Sequence, residues 1–235
     1  MESFSDAIIS AFLLIISGDA SLWFIVFLSL RVSLSAVIIA AILGIPLGAA
    51  LAIGRFKGRQ IIIIVVNAMM GLPPVVVGLC VYLILSKSGP LGVLSLLYTP
   101  TAMIMAQSIL VIPIIVALSR GIIESLNEEY RDQFTSFALK QRQILSTLLW
   151  EARFALLTAL LVGFGRAIAE VGAVMIVGGN INHYTRVMTT AIALETSKGN
   201  LSLALALGTI LVILAIIVNA AVAIIGIQRR EDMHV

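Results

Sequence analysis

Charged residues are spaced so widely along this chain that its hydrophobic pattern reads as long uninterrupted runs. Residues 32–54, 60–86, 88–119 and 199–228 hold no Asp, Glu, Lys or Arg. Each run exceeds the ~20 residues a helix needs to cross hydrocarbon. None alternates like a strand, and all are longer than the ~9–11 residues of a barrel strand, so the pattern predicts helical spans. These are spans one, two, three and five. A fourth is predicted over 154–177, where Arg166 and Glu170 are the only charges. Its neighbours Gly163, Gly165, Ala167, Ala169, Gly172 and Ala173 let another helix approach closely.

The segment AIISAFLLIIS at 7–17 is too short to span and follows Glu2 and Asp6 rather than a basic stretch. It predicts an interfacial helix within residues 1–20, not a cleaved signal. Span one is placed after Arg31, because a start at Ser21 would bury that cation. Span two carries Gly71-Leu72-Pro73-Pro74. Two prolines remove two backbone donors and clash with the preceding turn, so a bend is expected there.

Composition turns this pattern into a class. The chain is 60% hydrophobic and 11% charged, with mean hydropathy +1.14, against about 25% charged in soluble domains. It reads as an all-α integral membrane protein, one domain over 1–235. Placing Arg55, Lys57 and Arg59 in the cytoplasm puts Arg120, Arg131, Lys140, Arg142, Arg153, Arg229 and Arg230 on the same side. Only Arg31, Lys87, Arg186 and Lys198 then face outward. The positive-inside rule therefore gives five spans with the N-terminus outside and the C-terminus in the cytoplasm.

The chemistry is sparse. No Gly-x-x-x-x-Gly-Lys-Ser/Thr run occurs, so no P-loop is available to hydrolyse ATP. Cys80 has no second cysteine to pair with, and His183 and His234 are too few for a metal cluster. Glu128-Glu129 lies in a polar loop without paired histidines in the spans, which argues against an intramembrane protease.

The long polar excursion is 121–152. Ser125 with Glu128 three residues on forms a capping-box pattern, and two short helices fit the stretch. Tyr130, Phe134 and Phe137, at i, i+4 and i+7, would present one apolar stripe to a partner's groove. The plainer alternative is a helix lying on its own membrane domain.

At this point the residues carry a resemblance. A cytoplasmic loop of this size followed by Gly165-Arg166-Ala167, Glu170 and Gly172-Ala173 resembles the membrane subunit of ABC importers of the molybdate, sulfate and tungstate class. In that family's loop pattern, Asp132-Gln133-Phe134 stand at the Glu-Ala-Ala triplet, Ala138 at the Gly and Leu148 at the Ile. Trp150 and Glu151 replace its Leu-Pro. The stretches 71–92 and 163–200 are similar to tungstate-type permeases, and the resemblance covers nearly everything after about residue 30.

The resemblance implies a type I ABC importer membrane domain with a cytoplasmic coupling-helix hairpin at 121–152. It also implies a second copy of the chain, two ATPase subunits and an extracytoplasmic binding protein. ATP and Mg would be bound by the ATPase, with no cofactor in this chain and no nucleic acid. The expected activity is oxyanion import across the inner membrane, with tungstate as the cargo and molybdate or sulfate as alternatives. The expected ATPase dock is Tyr130, Asp132, Phe134, Phe137, Ala138, Lys140 and Arg142, with Phe134 and Phe137 filling the partner's groove. The expected path is lined at Gly71, Pro73, Pro74 and Val75, with Asn180, Thr189 and Thr190 adding neutral donors. Arg166 and Glu170, on one helix face, are read as an internal clamp; an anion site on Arg166 or an incidental pair are the alternatives. A passive channel or ion-coupled carrier is disfavoured, since such a carrier should show ionisable groups in several spans.

Overall fold

The computed structural model describes residues 4–232, and the side chains of 8–224. The expectations for Arg229, Arg230 and His234 fall on side chains outside that range. The described residues are helical, with short connections and no strand. They comprise α1 (Phe4–Ile16), α2 (Ala20–Ile53), α3 (Arg59–Met70), α4 (Pro74–Leu85), α5 (Pro100–Glu129), α6 (Arg131–Ser136), α7 (Gln141–Glu151), α8 (Arg153–Ile168), α9 (Gly172–Gly178), α10 (Met188–Lys198) and α11 (Leu201–Asp232).

Three helices are long and apolar enough to cross a membrane: α2, α5 and the described part of α11, Leu201–Ile224. Two bent pairs, α3 with α4 and α7 with α8, raise the number to as many as five. The bend of 101° between α3 and α4 falls where the two prolines stand. Pro73 is extended there, and its carbonyl accepts from the Val76 and Val77 N–H groups to restart the helix.

Two boundaries differ from the sequence reading. α2 begins at Ala20, not after Arg31. Gly18 takes a left-handed φ of 68°, and Asp19 Oδ1 accepts from Leu22 N–H at 2.8 Å, so the helix is broken and recapped before Ser21. At ~1.5 Å per residue this helix outreaches the ~30 Å hydrocarbon layer, so Arg31, which is exposed, is compatible with it. Span four, in turn, is not continuous. α8 stops at Ile168 and α9 starts at Gly172, while α8 pairs with α7 across a 64° bend. The Ser125/Glu128 pattern also starts no helix, because α5 runs through both residues to Glu129. The two short helices of the excursion are α6 and α7.

The chain divides into two compact units. The first contains 1–36, 73–107 and 165–218; the second contains 37–72, 108–164 and 219–235. In the second, Gly44 and Gly48 of α2 meet α5 closely. A Cβ on Gly48 would stand 2.8 Å from the Val116 carbonyl oxygen and 2.9 Å from Ser119 Cβ. Below this crossing, Ala49, Ala52, Ile123, Leu126, Phe134, Leu148, Ala152 and Leu156 form one apolar core. In the first unit, α4 and α9 touch through Gly78, whose added Cβ would lie 2.8 Å from Ala173 Cα. The Met188 N–H there donates to Ser29 Oγ at 2.8 Å, fixing the start of α10 on α2.

Candidate functional site

In the first unit the interruption between α8 and α9 is built around Glu170. Its side chain is buried, and Oε1 accepts from Ala173 N–H at 3.2 Å while Oε2 lies 3.5 Å from Arg166 Nη1. That side chain-to-backbone bond replaces the helical hydrogen bond and explains why the helix stops. Two carbonyls at the break take side-chain donors. Ala167 O accepts from Gln107 Nε2 at 3.0 Å, and Glu170 O accepts from Thr189 Oγ1 at 2.8 Å. Arg166 and Glu170 therefore form a pair across the end of α8, not on one continuous helical face. Gly172 also packs against the start of α4, where an added Cβ would stand 2.7 Å from Val75 Cγ2.

The neutral donors expected along a path are committed to the fold. Thr190 Oγ1 donates to Asn180 Oδ1 at 3.0 Å and accepts from Val187 N–H at 3.2 Å, while Asn180 Nδ2 donates to Thr190 O. Thr189 and Thr190 are buried. Their hydroxyls hold the α9–α10 turn and are not free for a passing ion. Val75 and Val76, by contrast, are exposed. Gly71 closes the end of α3, its N–H donating to Ala68 O.

The same unit carries a charge cluster that sequence reading did not single out. Glu195, buried near the end of α10, accepts from Lys198 Nζ at 2.9 Å and from Asn200 Nδ2 at 3.1 Å. The Lys198 hydrogen bond holds its carboxyl below the usual range against the opposing effect of burial, with Asn200 and the Lys198 and Arg186 charges adding to it. Arg186 Nη1 stands farther off, at 3.9 Å.

In the second unit the hairpin of α6 and α7 divides its aromatics. Phe134 is 8% exposed and sits in the apolar core, with the Tyr130 ring tilted against it at 5.9 Å between centroids. Phe137 is 75% exposed. The expectation that both fill a partner's groove is corrected for Phe134, which is spent inside this chain. Phe137 closes α6 with its N–H on Gln133 O, and the chain turns away at Ala138, left-handed with φ 49°, so Phe137 ends the helix in solvent while Phe134 is covered. Asp132, Ala138, Lys140 and Arg142 are exposed. Trp150, 67% exposed with the Arg153 guanidinium 4.7 Å over its ring, joins them as an aromatic the loop pattern did not single out.

Behind the hairpin is a cleft of 970 Å³ lined by Arg55, Arg59, Glu124, Arg131, Phe134 and Ala138, among others. Glu124 is held at 2.6 Å by Arg59 and at 2.8 Å by Arg120, and Arg59 Nε also donates to Leu51 O. No group of metal-ligating side chains occurs among the described residues.

Comparison with known proteins places this architecture. Residues 44–230 match the family described as binding-protein-dependent transport system inner membrane component. A probable anion ABC transporter permease protein of Haloferax volcanii is 44% identical over 86% of this chain and 91% of its own length. A tungstate uptake system permease protein of Peptoclostridium acidaminophilum is 39% identical over 94% of this chain and 97% of its own. Another of that description, from Campylobacter jejuni, is 41% identical over 70% of this chain and 69% of its own. The chain is thus a multi-pass inner membrane protein that belongs to the family of binding-protein-dependent transport system inner membrane components.

Proposed function

We propose that this chain is the permease subunit of an ATP-driven importer that carries an oxyanion, tungstate first, into the cytoplasm. The observation that carries this reading is the similarity to tungstate uptake permeases along nearly the whole chain. Without a P-loop the chain is no enzyme and must borrow its energy, so two copies work with two ATPase subunits and an extracytoplasmic binding protein. α3 with α4 form one span and α8 with α9 another, giving five with α2, α5 and α11, with α1 lying at the interface, the N-terminus outside and the C-terminus in the cytoplasm.

α6 and α7 are the coupling helices. Phe137 and Trp150 are the aromatic anchors of the ATPase dock, Asp132, Lys140 and Arg142 its rim charges, and Tyr130 and Ala138 shape the turn. ATP-driven closure of the ATPase pair would move this hairpin and rock the spans between inward-open and outward-open states. Gly71, Pro73, Pro74 and Val75 line the path at the break in span two. Arg166 and Glu170 are a clamp at the α8–α9 break rather than a cargo site, since Glu170 is buried there and ties the break through Ala173 N–H.

Co-purification with the ATPase subunit, followed by uptake of tungstate, molybdate and sulfate in liposomes with and without ATP, tests this reading. Tungstate uptake that requires ATP and the binding protein is expected. Uptake by this chain alone would defeat it in favour of a carrier or channel.

A further inference from the structure

Arg186 lies in the loop that joins α9 to α10, and its guanidinium is mostly enclosed. Its side chain is 14% exposed, yet Nε has no hydrogen-bond partner among the described residues. The carboxylate beside it, Glu195, stays 3.9 Å from Nη1, beyond hydrogen-bond length. A guanidinium carries five donors and keeps its proton in proteins. Leaving such a donor buried and unmet is costlier than making the bond is beneficial. Glu195 is held instead by two other donors, Lys198 at Oε1 and Asn200 at Oε2.

The loop holds Arg186 in this position. Its own N–H donates to Ile181 O at 3.0 Å. Thr185, next to it, is buried and ties Gly178 O to Ile181 N–H. On the other side Val187 is fixed to Thr190, and Met188 to Ser29. The result is a guanidinium held in place whose Nε lacks an acceptor among the described residues. Arg186 and Lys198 against Glu195 leave the cluster one unit positive.

We propose that Arg186 is an anion-receiving residue, whose guanidinium takes the tetrahedral oxyanion as it is delivered to this chain and then releases it along the path. The planar fork suits an anion that offers several oxygens. The Glu195 carboxylate nearby weakens the attraction by like-charge repulsion, which suits a station the ion must leave in every cycle. This proposal rests on the oxyanion reading given above.

The test uses the complete complex of permease, ATPase and binding protein in liposomes, with uptake of tungstate, molybdate and sulfate measured separately. Arg186→Gln should lower uptake of the carried anion at least tenfold, and Arg186→Lys should recover part of it. The melting temperature of Arg186→Gln should not fall, because the substitution removes a buried cation that makes no hydrogen bond at Nε. Wild-type uptake and anion preference in Arg186→Gln would overturn the proposal. So would a loss of uptake that tracks a drop in melting temperature, the mark of a structural role. Weaker capture of the anion-free binding protein would also overturn it, making Arg186 the mate of a carboxylate on that partner. A wild-type complex that carries none of the three anions defeats the oxyanion reading itself. A working wild type with an unaffected Arg186→Gln defeats only the role of Arg186.

Discussion

Arg59–Glu124–Arg120 in the second unit and Arg186–Glu195–Lys198 in the first each combine two cations with one carboxylate, and they are wired differently. Glu124 accepts from both of its arginines at 2.6 and 2.8 Å, and Arg59 Nε has a further acceptor in Leu51 O. Glu195 accepts from Lys198 and Asn200, while Arg186 stays outside hydrogen-bond reach. Closure of this kind follows from helix positions: Arg120 and Glu124 are one turn apart on α5, and Arg59 at the start of α3 reaches across to them. Arg186 sits in a loop whose backbone is committed elsewhere. The same inventory of charge therefore yields a brace in one place and an open donor in the other. Even the brace is incomplete, since Arg120 Nε is buried without a partner.

The closed cluster shares the cleft wall with Phe134, and the largest effect is expected there. Phe134→Asp buries a carboxylate in the core formed by Ile123, Leu126 and Leu148, and should cost at least about 4 kcal/mol. Loss of the cooperative melting transition in detergent is the expected result. Phe137→Ala removes a side chain that is mostly in solvent, so melting should be unchanged while co-purification with the ATPase falls. If Phe134→Asp instead melts like wild type and loses only the ATPase, Phe134 belongs to the docking face and the hairpin is loosely packed.

Next in size is the brace itself. Glu124→Ala leaves Arg59 and Arg120 side by side, each about a quarter exposed, without their shared counter-charge. Full burial would make the loss of such a partner worth ~3–5 kcal/mol, and partial exposure reduces this to about 2 kcal/mol. The comparison predicts opposite signs for two arginines. Arg59→Gln should lower the melting temperature, and Arg186→Gln should leave it level or raise it. Equal losses in both would mean that Arg186 is as well compensated as Arg59.

A third, smaller effect concerns the helix crossing above that core. Gly48→Ala drives a Cβ toward the Val116 carbonyl and Ser119 Cβ, neither of which is the end of a flexible side chain. A loss of about 1 kcal/mol is expected, read as a lower melting temperature. Gly121→Ala, where an added Cβ would meet nothing within 4 Å, is the control and should be neutral or better.

How much of this was legible in the sequence depends on what leaves a mark there. Charge-free runs marked the hydrophobic stretches, and paired prolines marked the break after α3, because a missing donor is a local property of the residue. The interruption at 169–171 left no such mark. It is made by one carboxylate bonding Ala173 N–H and by Gln107 and Thr189 donating to two carbonyls there, and these partners come from distant sequence. The start of α2 was misplaced because Arg31 was treated as a boundary, whereas a helix of 34 residues can carry a charge beyond the hydrocarbon. Periodicity sets Phe134 and Phe137 on one stripe, but only Phe134 is covered by α5 and α7, while Phe137 stands at the end of α6 in solvent. Arg186 was counted only as an outward charge, since an unmet donor is visible only once its neighbours are placed.

The smallest expected effect sharpens the description of the open cluster. Glu195 lies on α10, outside the candidate spans, and the hydrogen bond from Lys198 is the main cause of its lowered carboxyl pKa, aided by Asn200 and the two cations and opposed by burial. A folded pKa below the unfolded value of 4.5 means that the unfolded chain binds this proton first as pH drops. The stabilisation is therefore complete above the unfolded pKa and is lost as pH falls through the folded one, so the window lies below about pH 4.5. Melting temperatures from about pH 3 to about pH 6 should show a shallow acid-side decline that is reduced in Glu195→Gln and in Lys198→Met. Arg186→Gln should change that decline less than Lys198→Met does, because at 3.9 Å it contributes charge but no hydrogen bond. An equal or greater effect from Arg186→Gln would show that the guanidinium is already paired with Glu195 in solution, and the two clusters would then be alike.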